Sequence, residues 1–493
     1  MVNGDNCGSA VHATLIGRTT MAVFYDSHCH MMNLAHPNLT VMIKRTFKEA
    51  MPKKLVDYFA TVSTWPLVLK FLLWLLLFLP LLVFLTLVVF VGLILILLFI
   101  IPLTKGTLTG KFREKVANVM NLLAVMETDI GDCLIQLEEE LIKKYKKEGG
   151  LTLYGDSGKQ VYDNIVMTPL IMDFGLKNYQ NSNSPYKVRW KPVVAQVEDL
   201  CLGIRDYYLH RESYITSTGS PPLFEIHPFL GINTRNYQLK SFSPDEGFPS
   251  FLENLLQKNF CEFENDVTPE MRHRKLSEHN WRTFNGNIES LGSYAFAGIK
   301  VYPPLGFNPW PEDGDGYKDD EEIERELEKV RYLYAFCIQH NIPLTAHCNP
   351  NGFLVDKKYS KFASPAKWAK VLAQQEFKQL RLNLAHFGGA ERDDWRDQIA
   401  DLVLKYDNVY TDISYQGVDK KIYVKLKRFL DSKGADRQRL LEKIIFGTDF
   451  MINLQDIATY GTYLQYFGET SELTLEEKEL LCHKNAMKYL FLA

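Results

Sequence analysis

Short apolar runs alternate with longer amphipathic stretches along most of this chain, and the alternation predicts strands separated by helices. The first run, Ala22–Asp26, reads as a strand. Later runs read the same way: NIVMTPLIMDF near Val166–Phe174, LFEIHPFLGI near Phe224–Ile232, Phe296–Tyr302, Pro343–His347, Arg381–His386, Val409–Ser414 and Ile444–Phe450. Between them, Phe112–Lys147 carries Val116, Val119, Leu123, Met126, Ile130, Leu134, Leu137 and Leu141 at helical spacing. Asp320–His340 reads as a charged helix, and the chain closes on the helix-like LTLEEKELLCHKNAMKYLF. This order predicts an α/β fold: a parallel sheet with right-handed crossovers, closed as a (β/α)8 TIM barrel. Asn178–Lys191 and Glu262–Asn287 read as loop insertions on the face where a barrel builds its pocket, and no internal repeat is visible.

One stretch departs from this pattern. From Phe71 to Thr104 there is no charged residue. A helix of that length would run roughly 50 Å, against about 30 Å of bilayer hydrocarbon. Counted from Trp65, two crossings of about 20 residues fit, with Pro80 and Gly92 as places to turn. Strands 1 and 2 are neighbours in a barrel, so both flanks must share one side of the membrane. Lys44, Arg45, Lys48, Lys53 and Lys54 on one flank, and Lys105, Lys111, Arg113 and Lys115 on the other, favour the cytoplasm. The expectation is a membrane-embedded helical hairpin at residues 65–104, inserted between strands 1 and 2. It would contact membrane lipid and anchor a barrel that faces the cytoplasm. The domain reading is a flexible leader at 1–20, the barrel start at 21–64, the hairpin, and the rest of the barrel at 105–493.

Composition adds exclusions. A net charge of -3 over 493 residues gives no field that would gather nucleic acid. The eight cysteines include no C-x-x-C pair, so neither a zinc ribbon nor a disulfide framework is suggested, and a reduced cytosolic setting fits. The first twenty residues lack the apolar core of a secretory signal.

Candidate chemistry gathers at the strand ends. His28 and His30 close the first strand and point to the same face, because side chains alternate along a strand. His347, His386 and Asp449 each end a later predicted strand. Imidazoles and a carboxylate at strand ends suit a divalent metal of borderline softness. They also sit where a (β/α)8 barrel keeps its active site. Other strand-end residues have blander readings. His227 could face the pocket or pack beside Pro228. Arg235 could clasp a substrate carboxylate or lie in solvent. Asp173 and Asp412 could cap a following turn or helix. The acidic run Glu312–Glu324 lacks the glycine that a calcium loop needs at its sixth position, where Lys318 stands, and reads as a solvated loop.

Five motifs in order, DSHCH at Asp26–His30, GIKVYP at Gly298–Pro303, TAHC at Thr345–Cys348, AHFGG at Ala385–Gly389 and FGTDF at Phe446–Phe450, give the chain a resemblance. It resembles the metal-dependent amidohydrolase superfamily, most closely its branch of small-acid hydrolases and decarboxylases. The resemblance runs from residue 21 to the C-terminus, outside the apolar insertion. It implies that His28, His30 and His347 bind metal. It implies that His386 is a second-metal ligand or a catalytic group that polarises the substrate. Asp449 would bind metal and take the proton from the attacking water. Lys300 stands where two-metal members carry a carboxylated, bridging lysine; it also reads as a partner for an acidic side chain or a substrate carboxylate. One or two divalent ions are implied, zinc first, with manganese, iron or nickel as alternatives. A bound ion would lower the pKa of water to about 7. The leading expectation is a metal-dependent hydrolase acting on an amide, lactone or ester of a small polar molecule. The alternatives are a decarboxylase of an unsaturated carboxylic acid and a membrane-anchored scaffold without activity.

Overall fold

The computed structural model describes residues 22–33, 107–174, 193–218, 222–240, 251–266, 268–354 and 356–491. The predicted leader at 1–20 and the spacer at 178–191 lie outside these residues. Strand β1 spans Val23–Cys29. Helices α1 (Thr107–Glu127) and α2 (Ile130–Lys144) follow. A hairpin comes next, β2 (Leu151–Gly155) with β3 (Gly158–Tyr162), then β4 (Asn164–Pro169) and α3 (Val193–Thr218). Short strands β5 (Phe224–Ile226) and β6 (Phe229–Gly231) precede α4 (Leu252–Phe260) and α5 (Pro269–Ser277). From there strand and helix alternate: β7 (Gly298–Val301), α6 (Asp320–Gln339), β8 (Leu344–His347), α7 (Pro365–Ala373), β9 (Leu382–Ala385), α8 (Asp393–Lys405), β10 (Val409–Asp412), α9 (Lys421–Ser432), α10 (Arg437–Leu441) and β11 (Ile444–Ile445). Helices α11 (Tyr460–Glu469), α12 (Leu475–Glu479) and α13 (Asn485–Phe491) end the chain.

Two parallel sheets carry the fold, in the orders β1-β4-β5 and β11-β10-β9-β8-β7-β6. A parallel bridge from Leu170 to Phe229 lies between them on one side. On the other, Ser27 N–H donates to Phe446 O at 3.1 Å, and Thr448 N–H and Asp449 N–H donate to His28 O at 3.1 and 2.7 Å. Strands β7, β8, β9 and β10 are buried at every position, as sheets covered on both faces must be. Their register pairs Lys300 with Thr345, His347 with Ala385, Leu384 with Thr411 and Asp412 with Ile445. Lys300, His347, His386 and Asp412 therefore come out at one end of the sheet, where the strands finish.

Several expectations are refined. The long amphipathic stretch is two helices, broken at Thr128–Asp129, where Asp129 is extended and Thr128 Oγ1 bonds back to Ala124 O at 3.0 Å. The β2–β3 hairpin falls in a segment where no strand is expected; its Gly155-Asp-Ser-Gly158 turn is the local signal for it. The last strand is two residues long, and the chain beyond it reaches positive φ at the aspartate of FGTDF. The acidic loop is mostly exposed, as a solvated loop would be, but Asp315 within it is buried and meets Lys367 at 2.5 Å and Lys361 at 3.0 Å.

The membrane expectation is corrected. Among the described residues, no helix is long and apolar enough to cross a membrane. Residues 65–104, on which a transmembrane hairpin, a lipid contact and a cytoplasm-facing anchor all rest, lie outside them. The correction has a physical reason: an apolar run specifies length and burial but not the solvent that surrounds it.

Candidate metal centre

His28 and His30 leave β1 on one face, as strand alternation requires, and Asp449 arrives from the other end of the chain. His30 Nε2 lies 3.1 Å and His28 Nε2 3.5 Å from Asp449 Oδ1. The three side chains are buried, with His28 wholly inaccessible. The far nitrogen of each ring is already engaged. His28 Nδ1 meets Asp412 Oδ2 at 2.9 Å, and His30 Nδ1 meets the carbonyl oxygen of Leu170 at 2.7 Å. A carboxylate or carbonyl in that place takes the imidazole's N–H, which leaves a lone pair on each Nε2. Two nitrogen lone pairs and a carboxylate oxygen then face one another inside the protein. Acceptors so placed need a cation among them, a proton or a metal ion. This donor set fits a divalent ion in type, with two imidazoles and one carboxylate.

Asp412 organises the site. Besides His28 Nδ1, its carboxylate accepts from Asn383 Nδ2 at 2.7 Å, from the backbone N–H of His386 at 2.9 Å and of Ser414 at 3.1 Å, and from Ser414 Oγ. Burial alone would push its pKa up, but the His28 and His386 rings beside it hold it well below the carboxylate range. The turn-capping expectation covers only the Ser414 bond. The bonds to His28 and His386 come from strands far away in sequence.

The four imidazoles form a connected row. Ring centroids are 5.3 Å apart from His30 to His28, 4.8 Å from His28 to His386 and 4.7 Å from His386 to His347. His347 Nε2 donates to Asn351 O at 2.6 Å and Asn349 O at 3.1 Å, while its Nδ1 lies 3.0 Å from His386 Nε2. His347 thus reaches the site through His386, and its donor atoms lie outside the group formed by His28, His30 and Asp449. A second group, His28, His386 and Asp412, overlaps the first at His28. Lys300 Nζ stands 3.4 Å from His28 Nε2. Burial lowers its pKa to about 8, against the pull of Asp412 and Asp449. Burial and the Lys300 charge lower His28 to about 3, and burial also lowers His386. Asp449 is held below its ordinary value: burial raises it, but its contact with His30 and the nearby rings outweigh that.

The backbone is also unusual here. His386, Phe387, Tyr415 and Asp449 have φ of 68°, 43°, 66° and 58°, in the left-handed region that side chains other than glycine rarely adopt. Such residues persist where the surroundings over-determine them, and they cluster at functional sites.

Residues 287–492 match the model of a family described as amidohydrolase. The matched region holds Lys300, His347, His386, Asp412 and Asp449. No curated protein matches. Several solved structures show distant likeness. One is an uncharacterised TIM-barrel protein of Bordetella bronchiseptica (14% identity, 66% of this chain and 77% of that one, TM-score 0.32). A second is a probable 2-pyrone-4,6-dicarboxylic acid hydrolase of Acinetobacter baumannii (12%, 72% and 88%, TM-score 0.33). A third is a 5-carboxyvanillate decarboxylase of Novosphingobium aromaticivorans, solved with manganese (11%, 67% and 77%, TM-score 0.31). Scores of this size leave the fold to be judged from the sheet register itself.

The two expected substrate contacts have partners of their own. His227 Nε2 is 2.6 Å from Glu225 Oε1, and it is grouped with His273 rather than with His28. Arg235 is half-buried; its Nη1 donates to Tyr359 Oη at 3.1 Å, and its guanidinium lies 5.6 Å from the Tyr317 ring. Its strand-end position in the sequence carries no sign of these aromatic partners.

Proposed function

We propose that the chain is a metal-dependent hydrolase of the amidohydrolase type, acting on an amide, lactone or ester of a small polar molecule. In this reading the two parallel sheets form one closed barrel of eight strands, with β5 and β6 as a single strand interrupted at His227-Pro228. The observation that carries the metal centre is the meeting of His28 Nε2, His30 Nε2 and Asp449 Oδ1, with each ring's other nitrogen tied by Asp412 or the Leu170 carbonyl. The family match over residues 287–492 supports the same reading.

His28, His30 and Asp449 would hold one divalent ion, zinc first, with His386 and then His347 next along the row of rings. Such an ion supplies a Lewis acid that polarises a carbonyl and acidifies water. The protein's groups do the rest. Asp449, held in its ionised form, accepts the proton of the attacking water and returns it to the leaving atom. His386, with Nδ1 2.8 Å from Ser414 Oγ and Nε2 3.0 Å from His347 Nδ1, is held in place beside the reacting group. Asp412 fixes the ring planes of His28 and the backbone of His386, so neither needs to reorient during reaction. Lys300, protonated below about pH 8, puts a positive charge beside the cluster, suited to an anionic group on the substrate.

The test uses the full chain stripped of metal and reloaded with zinc or manganese, assayed against esters, lactones, cyclic amides and unsaturated carboxylates. Hydrolysis that needs the ion and stops with chelator is the expected result. Release of carbon dioxide without hydrolysis would replace this reading with decarboxylation. A protein that binds less than a tenth of an equivalent and turns over none of these substrates is a scaffold.

A further inference from the structure

A second convergence of metal-ligand atoms lies away from the row of four histidines. Glu225 and His227 sit two residues apart at the end of β5, so they share a face. His273 reaches them from α5. Glu225 Oε1 lies 2.6 Å from His227 Nε2 and 2.9 Å from His273 Nε2. Ser277 Oγ, one turn further along α5, donates to the same oxygen. The three ligand atoms all lie within 4.8 Å of one another, and none belongs to the first site.

We infer that Glu225, His227 and His273 form a second divalent-cation site, selective for a borderline ion such as zinc or cobalt(II). Three features carry this. The first is the donor set: two imidazole nitrogens and a carboxylate oxygen are a known three-ligand set for zinc, with a fourth position left for water. The second is preorganisation. The His273 ring stacks on Phe491 of α13 at 4.3 Å and 25°, and His227 packs edge-on to the same ring at 5.8 Å and 85°. Neither imidazole is free to swing, so little order is lost when an ion binds. The third is access. The side chain of His227 is 2% exposed, but those of Glu225 and His273 are 23% and 31% exposed, so an ion can enter from one side.

The distances require a small adjustment. Metal bonds of about 2.0–2.1 Å in a tetrahedron separate ligands by roughly 3.3 Å. Each contact must open by roughly half an ångström, which a partly exposed glutamate can provide. The alternative is a cluster in which both imidazoles donate N–H to Glu225 and no ion is needed. The ion would join the end of β5 to α5 and fix the two imidazoles on which Phe491 of α13 packs, so its role would be to hold these elements together rather than to react.

Metal counting on the full chain separates the two sites. Stripped protein is saturated with zinc, gel-filtered and analysed for bound metal, as wild type, Asp449→Asn, His273→Ala and Glu225→Gln. The inference expects Asp449→Asn to keep one tight equivalent that His273→Ala and Glu225→Gln each lose. It also expects zinc to raise the Tm of Asp449→Asn by several degrees, and expects this gain to vanish when His273→Ala is added. Turnover by His273→Ala stays within about twofold of wild type. If His273→Ala and Glu225→Gln both retain the wild-type count, the inference is overturned. If Asp449→Asn binds nothing while wild type binds one equivalent, the second site is absent and the first stands. If wild type binds one equivalent that only His273→Ala and Glu225→Gln remove, the second site stands and the first falls. Glu225→Gln keeps the hydrogen-bonding shape, so its metal loss cannot be put down to misfolding of the alanine variant.

Discussion

His30 Nε2 stands 3.1 Å from Asp449 Oδ1, while the other nitrogen of the same ring is held by the Leu170 carbonyl at 2.7 Å. The pair is acceptor against acceptor, which is unfavourable without a cation. Replacing Asp449 by asparagine puts an amide N–H where that cation belongs. In chelator, Asp449→Asn is expected to be more stable than wild type by about 1 kcal/mol, the worth of one satisfied hydrogen bond. Its activity is expected to fall by about 10²–10⁴-fold, the usual loss of a general base. Chemical denaturation with EDTA present checks the first part. A metal-free variant that is less stable than metal-free wild type would sink the lone-pair argument.

Asp412 touches no part of the group formed by His28, His30 and Asp449 except through His28. Asp412→Asn is therefore expected to weaken zinc at the first site by about 10–100-fold, the range for loss of a partner that orients a metal-binding imidazole. Competition with a chromophoric chelator measures this. An unchanged affinity would mean that His28 does not need Asp412 to hold its tautomer.

Gly447 has a packing reason to be glycine. A Cβ there would lie 2.6 Å from His28 Cβ and 3.2 Å from His28 N, and neither atom belongs to a flexible side-chain tip. Gly447→Ala must displace β1 locally, at a cost of about 1–3 kcal/mol for overpacking. Because the displaced residue is His28, metal affinity should fall along with Tm. A variant with lowered Tm but wild-type zinc affinity would show that the strand shifts without moving the ring.

Acid lability follows from His28. Its folded-state pKa is lowered to about 3 from an ordinary 6.5, so between those values the unfolded chain carries a proton that the folded metal-free protein does not. The unfolded state binds more protons there, so stability rises with pH. The contribution of His28 is present above about pH 6.5 and is lost as pH falls toward 3. Denaturation of metal-free protein from pH 7 to 4 should show this slope, and His28→Gln should remove close to one proton from it. A slope that is the same in both proteins would contradict the buried, neutral imidazole.

Legibility in the sequence followed the length of the signal. Strands β7 to β10 are short, largely apolar runs, and each lies where its pattern puts it. The meeting of His28, His30 and Asp449 was readable because each residue marks its own strand end. Asp412 also marks a strand end, but its role depends on His28, 384 residues away, and no local pattern encodes that pairing. His347 was legible as a strand-end histidine. Its turn toward the Asn349 and Asn351 carbonyls was not, because ring orientation is decided by the loop that follows. His227 gave the pocket signal and lies with Glu225 and His273 instead, since a residue's place on a strand does not say which neighbouring helix meets it. The β2–β3 hairpin was passed over because its polar turn resembles a loop in a pattern dominated by helices.

The bonds between Asp26 and Thr448 have a consequence for biosynthesis. Asp26 Oδ1 accepts the Thr448 N–H at 2.9 Å and Oδ2 accepts its hydroxyl at 2.6 Å, across 422 residues of chain. The first strand can pair with β4 early, but its other edge cannot gain a neighbour until nearly the whole polypeptide has left the ribosome. Contacts of such long range form late and slow folding. A nascent chain halted before the FGTDF segment would expose one bare strand edge, so for most of translation the imidazoles of β1 stand without the carboxylate that completes their group.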